Sequence, residues 1–188
     1  MPEKNGLFMN YTATAKWFHW SMALIWLGAF ALGMVAVYAR ELFNSEHQLT
    51  YLHKALASSL LFLLPLRIYW RLTHPTPRLP QSMSPLAQNL ARYAHWALYA
   101  AALVALPVSG WFWSSVAGKP IMVLGLFQLP PLRAPDQGLY DTAKAIHVYT
   151  SWFCGALVGA HLLAALKHHF VDKDAVLRQM LPQKDSRA

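Results

Sequence analysis

The sequence predicts an all-α integral membrane protein, a four-helix bundle, and three observations carry that expectation. Of its 188 residues 56% are hydrophobic and only 13% charged, with a mean hydropathy of +0.27; an ordinary soluble domain carries about twice that charged fraction. Four long apolar stretches, at about 16–39, 52–72, 92–116 and 143–170, each reach the length of about 20 residues that crosses a bilayer as a helix. The segments between them are rich in proline, glycine or charge, as connectors are. A soluble enzyme and large extramembrane domains are excluded, and residues 1–188 are expected to form a single transmembrane domain.

The first stretch ends in Val37-Tyr38-Ala39, which has the small-residue look of a cleavage site. It is longer than a signal-peptide core and carries Trp17, His19, Trp20 and Trp26, so a retained helix is expected. The second stretch contains Pro65 and the third Pro107, which should bend their helices and leave carbonyls for a neighbouring helix to satisfy. A proline-rich connector, Arg71 to Ser84, joins these two helices. A longer loop, Gly118 to Asp141, holds Pro120, Pro130, Pro131 and Pro135 and leads into the fourth stretch. Trp17, Trp70, Trp111, Trp113 and Tyr149 lie near helix ends, where an aromatic belt belongs.

The net charge of +8 matches the basic excess of a cytoplasmic membrane face better than a nucleic-acid surface, since no basic cluster sits on a soluble face. The side holding both termini carries Lys4, Lys16, Arg67, Arg71, Arg78, Arg92, Lys167, Lys173, Arg178, Lys184 and Arg187. The other side holds Arg40, Lys54, Lys119, Arg133 and Lys144, and this 11 to 5 ratio predicts both termini in the cytoplasm (N-in, C-in). The single cysteine, Cys154, excludes an intrachain disulfide, a thiolate metal cluster and a covalently attached haem.

Nine histidines in so apolar a chain stand out, because ionisable groups at membrane depth are costly and mark function. His147 and His161 lie about four helical turns apart on the fourth stretch. That spacing rises about 21 Å, and its rotation returns to within about 40° of the starting direction. One helix face therefore offers two imidazoles at two depths. His53 starts the second stretch at the depth of His147, and His19 starts the first at the depth of His161. The expected pairs are His53 with His147 for an outer haem and His19 with His161 for an inner one, four iron ligands in all. Two imidazoles leave no open position on an iron, so such sites favour electron transfer over oxygen binding. Structural zinc would want one closed tetrahedral set, which pairs at two depths do not supply.

Other residues extend the pattern. Gly155 and Gly159 leave room beside the fourth helix for a flat macrocycle or for a neighbouring helix. Arg67 follows His53 at the same spacing that separates His147 from His161, and so lies at the inner depth, where it could pair with a haem propionate or snorkel to headgroups. His95 begins the third helix on the inner side and reads as interfacial, as a neighbour of the inner haem or a quinone, or, since it too sits at an inner helix start, as the partner of His161 in place of His19. His168 and His169, with Lys167, form a protonatable cluster at the inner rim that suits a quinone site, or an ordinary charged helix end. His47 and His74 fall in loops and should be solvated.

The residues FHW at 18–20, LHK at 52–54, LRIYWRLTHPTP at 66–77, AHWALYAAALVALPVSG at 94–110 and IHVYTSWFCGALVGAHLLAALKHHF at 146–170 resemble the bacterial cytochrome b561 family. The match runs over nearly the whole chain, and the last segment is its most specific part. More distantly, the fourth helix is similar to the di-haem cytochrome subunits of formate dehydrogenase and nickel-iron hydrogenase. The resemblance implies a bacterial inner-membrane protein with two non-covalent b haems, exchanging electrons with ubiquinone, and it matches His19, His53, His147 and His161 as ligands. It also puts His168 at the family's quinone position.

One member of that family is a superoxide oxidase, which takes electrons from periplasmic superoxide and passes them to ubiquinone. For that activity His53, His147, Lys54 and Lys144 would form the reactive end, the two lysines steering the anion. Outer-side bases outnumber the acids Glu41, Glu46, Asp136 and Asp141 by only one, so any steering must be local. The competing expectation is a di-haem subunit that docks a periplasmic redox protein instead of taking superoxide. A transporter would show broken helices with small polar residues at the midplane, which are missing.

Overall fold

The computed structural model describes residues 10–77, 79–80 and 83–182. Among these residues four helices are long and apolar enough to cross a membrane. Helix α1 (Ala13–Tyr38) is the first, capped by Thr12, whose hydroxyl accepts from Ala15 N–H. A short α2 (Arg40–Phe43) turns the chain, and α3 (Gln48–Thr73) returns across the membrane. Ser84 caps α4 (Pro85–Leu98), with Pro85 supplying the preset first-turn φ. A π-helical segment, Tyr99–Ala105, carries α4 into α5 (Leu106–Val116), so that the third span runs unbroken from Pro85 to Val116. After a small antiparallel hairpin, β1 (Met122–Val123) and β2 (Phe127–Gln128), comes α6 (Tyr140–Lys167). A π-helical turn (His168–Asp172) and the short α7 (Val176–Met180) follow.

These spans agree with the apolar stretches to within a few residues, except that α4 starts at Pro85 and the fourth span reaches from Gln137 to Asp172. The extra turns are amphipathic or polar, so hydropathy alone does not see them. Of the basic residues that set the expected orientation, Lys4, Arg78, Lys184 and Arg187 lie outside the described residues.

Helix α1 packs chiefly on α3, and α5 on α6. The end holding the termini, here the terminal end, is tied together by polar contacts. Lys16 Nζ donates to Leu181 O (2.9 Å), Trp20 Nε1 to Met180 O (2.8 Å) and Trp70 Nε1 to Thr12 Oγ1 (2.9 Å). At the far end, the buried Asn44 accepts from Leu49 N–H (2.9 Å) and donates to Thr50 Oγ1 (2.8 Å), which fixes the α2–α3 turn. Between the two ends lies a core of Met22, Trp26, Leu60, Leu64, Tyr99 and Cys154.

Pro107 lies just after the π-helical segment. In that segment each N–H bonds to the carbonyl five residues back, and Leu106 N–H reaches Ala101 O. The next donor would be Pro107, which has no N–H, so Ala102 O is left unpaired within the helix. Trp26 Nε1 donates to that carbonyl at 3.2 Å from α1, both groups being buried. The neighbouring-helix rescue expected from the sequence thus has a named donor. Replacing Trp26 with phenylalanine strands the carbonyl in the core and is expected to cost about 1–3 kcal/mol, read as a lower Tm of the detergent-solubilised protein. An unchanged Tm would show that the bond carries no net stability.

Candidate functional site

The four expected ligands meet in two pairs. At the far end the rings of His53 on α3 and His147 on α6 face each other with centroids 6.2 Å apart and planes at 74°. At the terminal end His19 on α1 and His161 on α6 stand 6.3 Å apart at 63°. Two imidazoles binding one metal from opposite sides at about 2 Å per bond would have centroids separated by about 6.3 Å. Both pairs fit that spacing.

Hydrogen bonds settle the tautomer of the far pair. His53 Nδ1 lies 2.7 Å from Ala29 O, which can only accept, so the proton sits on Nδ1. His147 Nδ1 lies 3.0 Å from Ser109 Oγ. Ser109 commits its own hydrogen to Leu106 O (2.8 Å), so its oxygen accepts from His147 Nδ1–H. Both rings therefore keep an Nε2 lone pair free, the arrangement that metal-binding histidines use.

Two glycines make room for these rings. A Cβ on Gly33 of α1 would meet His53 Cε1 and Nδ1 at 3.1 Å, and one on Gly110 of α5 would meet His147 Cε1 at 2.9 Å. Sequence reasoning passed over both, though each lies on a helix at the depth of the outer histidines, which is the signal that would have found them. Of the pair it did single out, Gly155 admits Phe30, whose Cζ would lie 3.0 Å from an added Cβ, and Gly159 faces open space. Gly155 serves side-chain packing; Gly159 leaves room on the helix face two residues before His161. Gly110→Val is expected to push the His147 ring aside and to lower haem content per chain, measured by the haem-to-protein absorbance ratio. Full haem content in that variant would show that the ring has other room.

A cavity of about 440 Å³ opens around the far pair, lined by both rings, Gly33, Gly110 and Trp113. Arg40, Lys54, Lys119 and Lys144 also line it, and among the described residues no carboxylate does. The near balance of charge counted along the outer loops is thus resolved by position. Arg133 is neutralised by Asp136 at 2.9 Å, and the other four bases converge on the cavity. Lys54 has a second task, because its ammonium donates to Pro120 O (2.7 Å) and Ser114 Oγ (3.3 Å). Trp113, 5.7 Å from the His147 ring, keeps a buried indole N–H with no partner among the described residues. A bound group carrying an acceptor would satisfy it.

The terminal end is more crowded. His95 on α4 stands 5.3 Å from His161, closer than His19 does, and its Nδ1 lies 2.6 Å from Ala91 O. The sequence left His95 as interfacial or as a neighbour of the inner site, and it is a neighbour. Its distance from His161 fits two rings on opposite sides of one metal less nearly than that of His19 does. Arg67 does not snorkel. It turns inward, donating from Nε to Tyr99 Oη (2.8 Å), lying 5.1 Å over that ring, and reaching His19 Nδ1 at 3.4 Å.

His168 pairs through Nδ1 with Asp174 (2.7 Å) and Asp172 (3.2 Å), and the Lys167 ammonium donates to both oxygens of Asp172 at 2.7 Å. The inner-rim cluster is therefore a network of mixed charge, with Asp172 at the end of the π-helical turn and Asp174 just beyond it. Of the two loop histidines, His47 contacts Arg40 at 3.2 Å and His74 stacks on Trp70 at 3.6 Å.

The sequence profile described as prokaryotic cytochrome b561 matches residues 10–183. The chain is 38% identical over 177 residues to cytochrome b561 homolog 2 of Escherichia coli (strain K12), covering 94% of each chain. It is 34% identical over 133 residues to the probable superoxide oxidase CybB of Yersinia pestis, covering 71% of this chain and 74% of that protein. Similarity to cytochrome b561 homolog 1 of Escherichia coli (strain K12) reaches 34% over half of this chain.

Proposed function

The chain belongs to the prokaryotic cytochrome b561 family, multi-pass membrane proteins that transfer electrons with b-type haem, and from that premise we propose that it oxidises superoxide and reduces ubiquinone through two haem sites. His53 and His147 would hold the far haem, His19 and His161 the haem at the terminal end. A b haem held there would supply one-electron iron chemistry. The chain sits in the bacterial inner membrane with both termini cytoplasmic, a reading supported by the 11 to 5 ratio of basic residues.

The observation that carries the superoxide reading is the charge of the far cavity: four basic side chains and, among the described residues, no carboxylate. Such a cleft concentrates a small anion at the ring edges of His53 and His147. Each superoxide gives up one electron and leaves as oxygen. Two electrons and two protons convert ubiquinone to ubiquinol at the terminal end. There His168, its Nδ1–H held by Asp174, can as an imidazolium give a proton from Nε2 to a quinone oxygen and be left neutral. Asp174 also caps α7 by accepting from Val176 N–H (2.9 Å), so His168 is oriented by a fixed carboxylate.

Lys144→Glu is expected to slow reduction by superoxide severalfold at low ionic strength, with the rates converging as salt screens the field. Lys144 is a cleaner probe than Lys54, whose reversal would also release the Pro120 carbonyl. Equal rates at every ionic strength would remove the steering role. The activity itself is tested on the oxidised, detergent-purified protein by a superoxide pulse followed in the visible spectrum. Reduction within milliseconds and reoxidation by added ubiquinone would support the proposal. A protein reduced by dithionite but inert to superoxide would instead be an electron carrier served by a periplasmic redox protein.

A further inference from the structure

The hairpin between α5 and α6 lies where an aqueous loop would not. It runs along α3 from Lys54, which holds Pro120 O, down to Phe62, whose ring meets Phe127 at 5.5 Å. Phe62 is nine residues past His53, about 13 Å deeper by the helix rise, and just beyond the midpoint of α3. A helix of 26 residues is about 39 Å long against a hydrocarbon layer of about 30 Å. The turn of the hairpin is therefore at acyl-chain depth, on the outside of the bundle.

Its composition follows that depth. From Ile121 to Leu132 there is no charged residue, and Gln128 is the one polar side chain. Ile121, Val123 and Leu129 are buried against Leu61 and Trp111. Leu124, Leu126 and Phe127 point outward, Leu126 being 78% exposed. Leu124 and Gly125 both have positive φ, 49° and 76°, the geometry of tight hairpin turns. An aqueous turn favours asparagine or glycine at such positions, and here leucine bears the strain. Polar residues resume at Arg133, where the chain climbs back to the end of α5: Leu132 N–H donates to Ser115 Oγ (3.0 Å) and Asp136 N–H to Val116 O (3.0 Å). Backbone groups on the descending and returning segments are met by Lys54, by Ser114 donating to Lys119 O (2.7 Å) and by Trp111 donating to Pro130 O (2.9 Å). Within the hairpin the strands pair with each other, and Leu126 N–H donates to Val123 O and Leu129 N–H to Ile121 O (both 2.9 Å), in keeping with the pairing that membrane depth demands.

We propose that Ile121–Leu129 is a membrane-inserted hairpin whose partner is the acyl chains of the far leaflet, and that it forms the lateral wall between those lipids and the histidine cavity. Ile121 and Leu129 line that cavity from the inside, while Leu124, Leu126 and Phe127 meet lipid from the outside. The wall closes the α3–α5 side of the cavity.

The test is independent of any haem chemistry. With the buried Cys154 replaced by alanine, Leu126→Cys and, separately, Leu124→Cys are labelled with a nitroxide and reconstituted into phosphatidylethanolamine and phosphatidylglycerol vesicles. A Glu46→Cys label in the α2–α3 turn serves as the aqueous reference. The expected result is a severalfold higher ratio of collisions with lipid-soluble oxygen to collisions with an aqueous nickel chelate at 126 and 124 than at 46. Nickel accessibility equal to that of the reference at both sites would overturn the proposal and make the hairpin an aqueous cap.

Discussion

Replacing His147 with alanine is expected to yield a folded protein that retains one haem per chain instead of two. The imidazole is half-buried and is held by a 3.0 Å bond to Ser109, the Leu106 backbone, ring contacts to His53 and Trp113 and packing on Gly110, none of them among the buried residues of the core cluster, so its loss removes a ligand without removing a core element. His53 remains, held by Ala29 O, and a single imidazole keeps a haem far more weakly than two. The terminal pair lies about 21 Å away along α6 by the helix rise. Haem quantified against protein, with circular dichroism to confirm helix content, reads the outcome. Retention of two haems would remove His147 from the ligand set, and loss of both would mean that the two sites do not fold independently.

The second large effect distinguishes His19 from His95. His19→Ala should lose the terminal-end haem, whereas His95→Ala should keep both haems and alter the redox potential of the nearer one. Both imidazoles reach His161; His95 has its Nδ1 proton satisfied as a ligand would, whereas His19 Nδ1 faces the Arg67 guanidinium, which only donates. Separation favours His19: 6.3 Å matches two rings flanking one metal more nearly than the 5.3 Å of His95. The measurement is haem content together with a potentiometric titration of both variants. Haem loss in His95→Ala with full retention in His19→Ala would exchange their roles.

The spans and depths of this protein are legible in the sequence because both follow from one-dimensional spacing. The stretch of helix between His147 and His161 sets two levels, and the starts of α1 and α3 place His19 and His53 at them. The proline at 107 announced a freed carbonyl, and only its acceptor position, shifted one residue by the π-helical segment, and its donor, Trp26, awaited the fold. Arg67 was legible in depth but not in direction, since its rotamer depends on Tyr99 and His19 from two other helices.

By itself the sequence determined the number of crossings and the two levels of imidazole, because helix rise and apolar length are properties of a segment alone. Its motifs also marked the family. Tertiary structure decided which histidines face each other, since three reach the terminal site and the angle around each helix axis is fixed only by packing. It also decided that Gly33 and Gly110 stand behind the far rings, that four bases converge on one cavity, and that the proline-rich loop descends along α3. Those are relations between segments distant in the chain, and no periodicity within one segment encodes them.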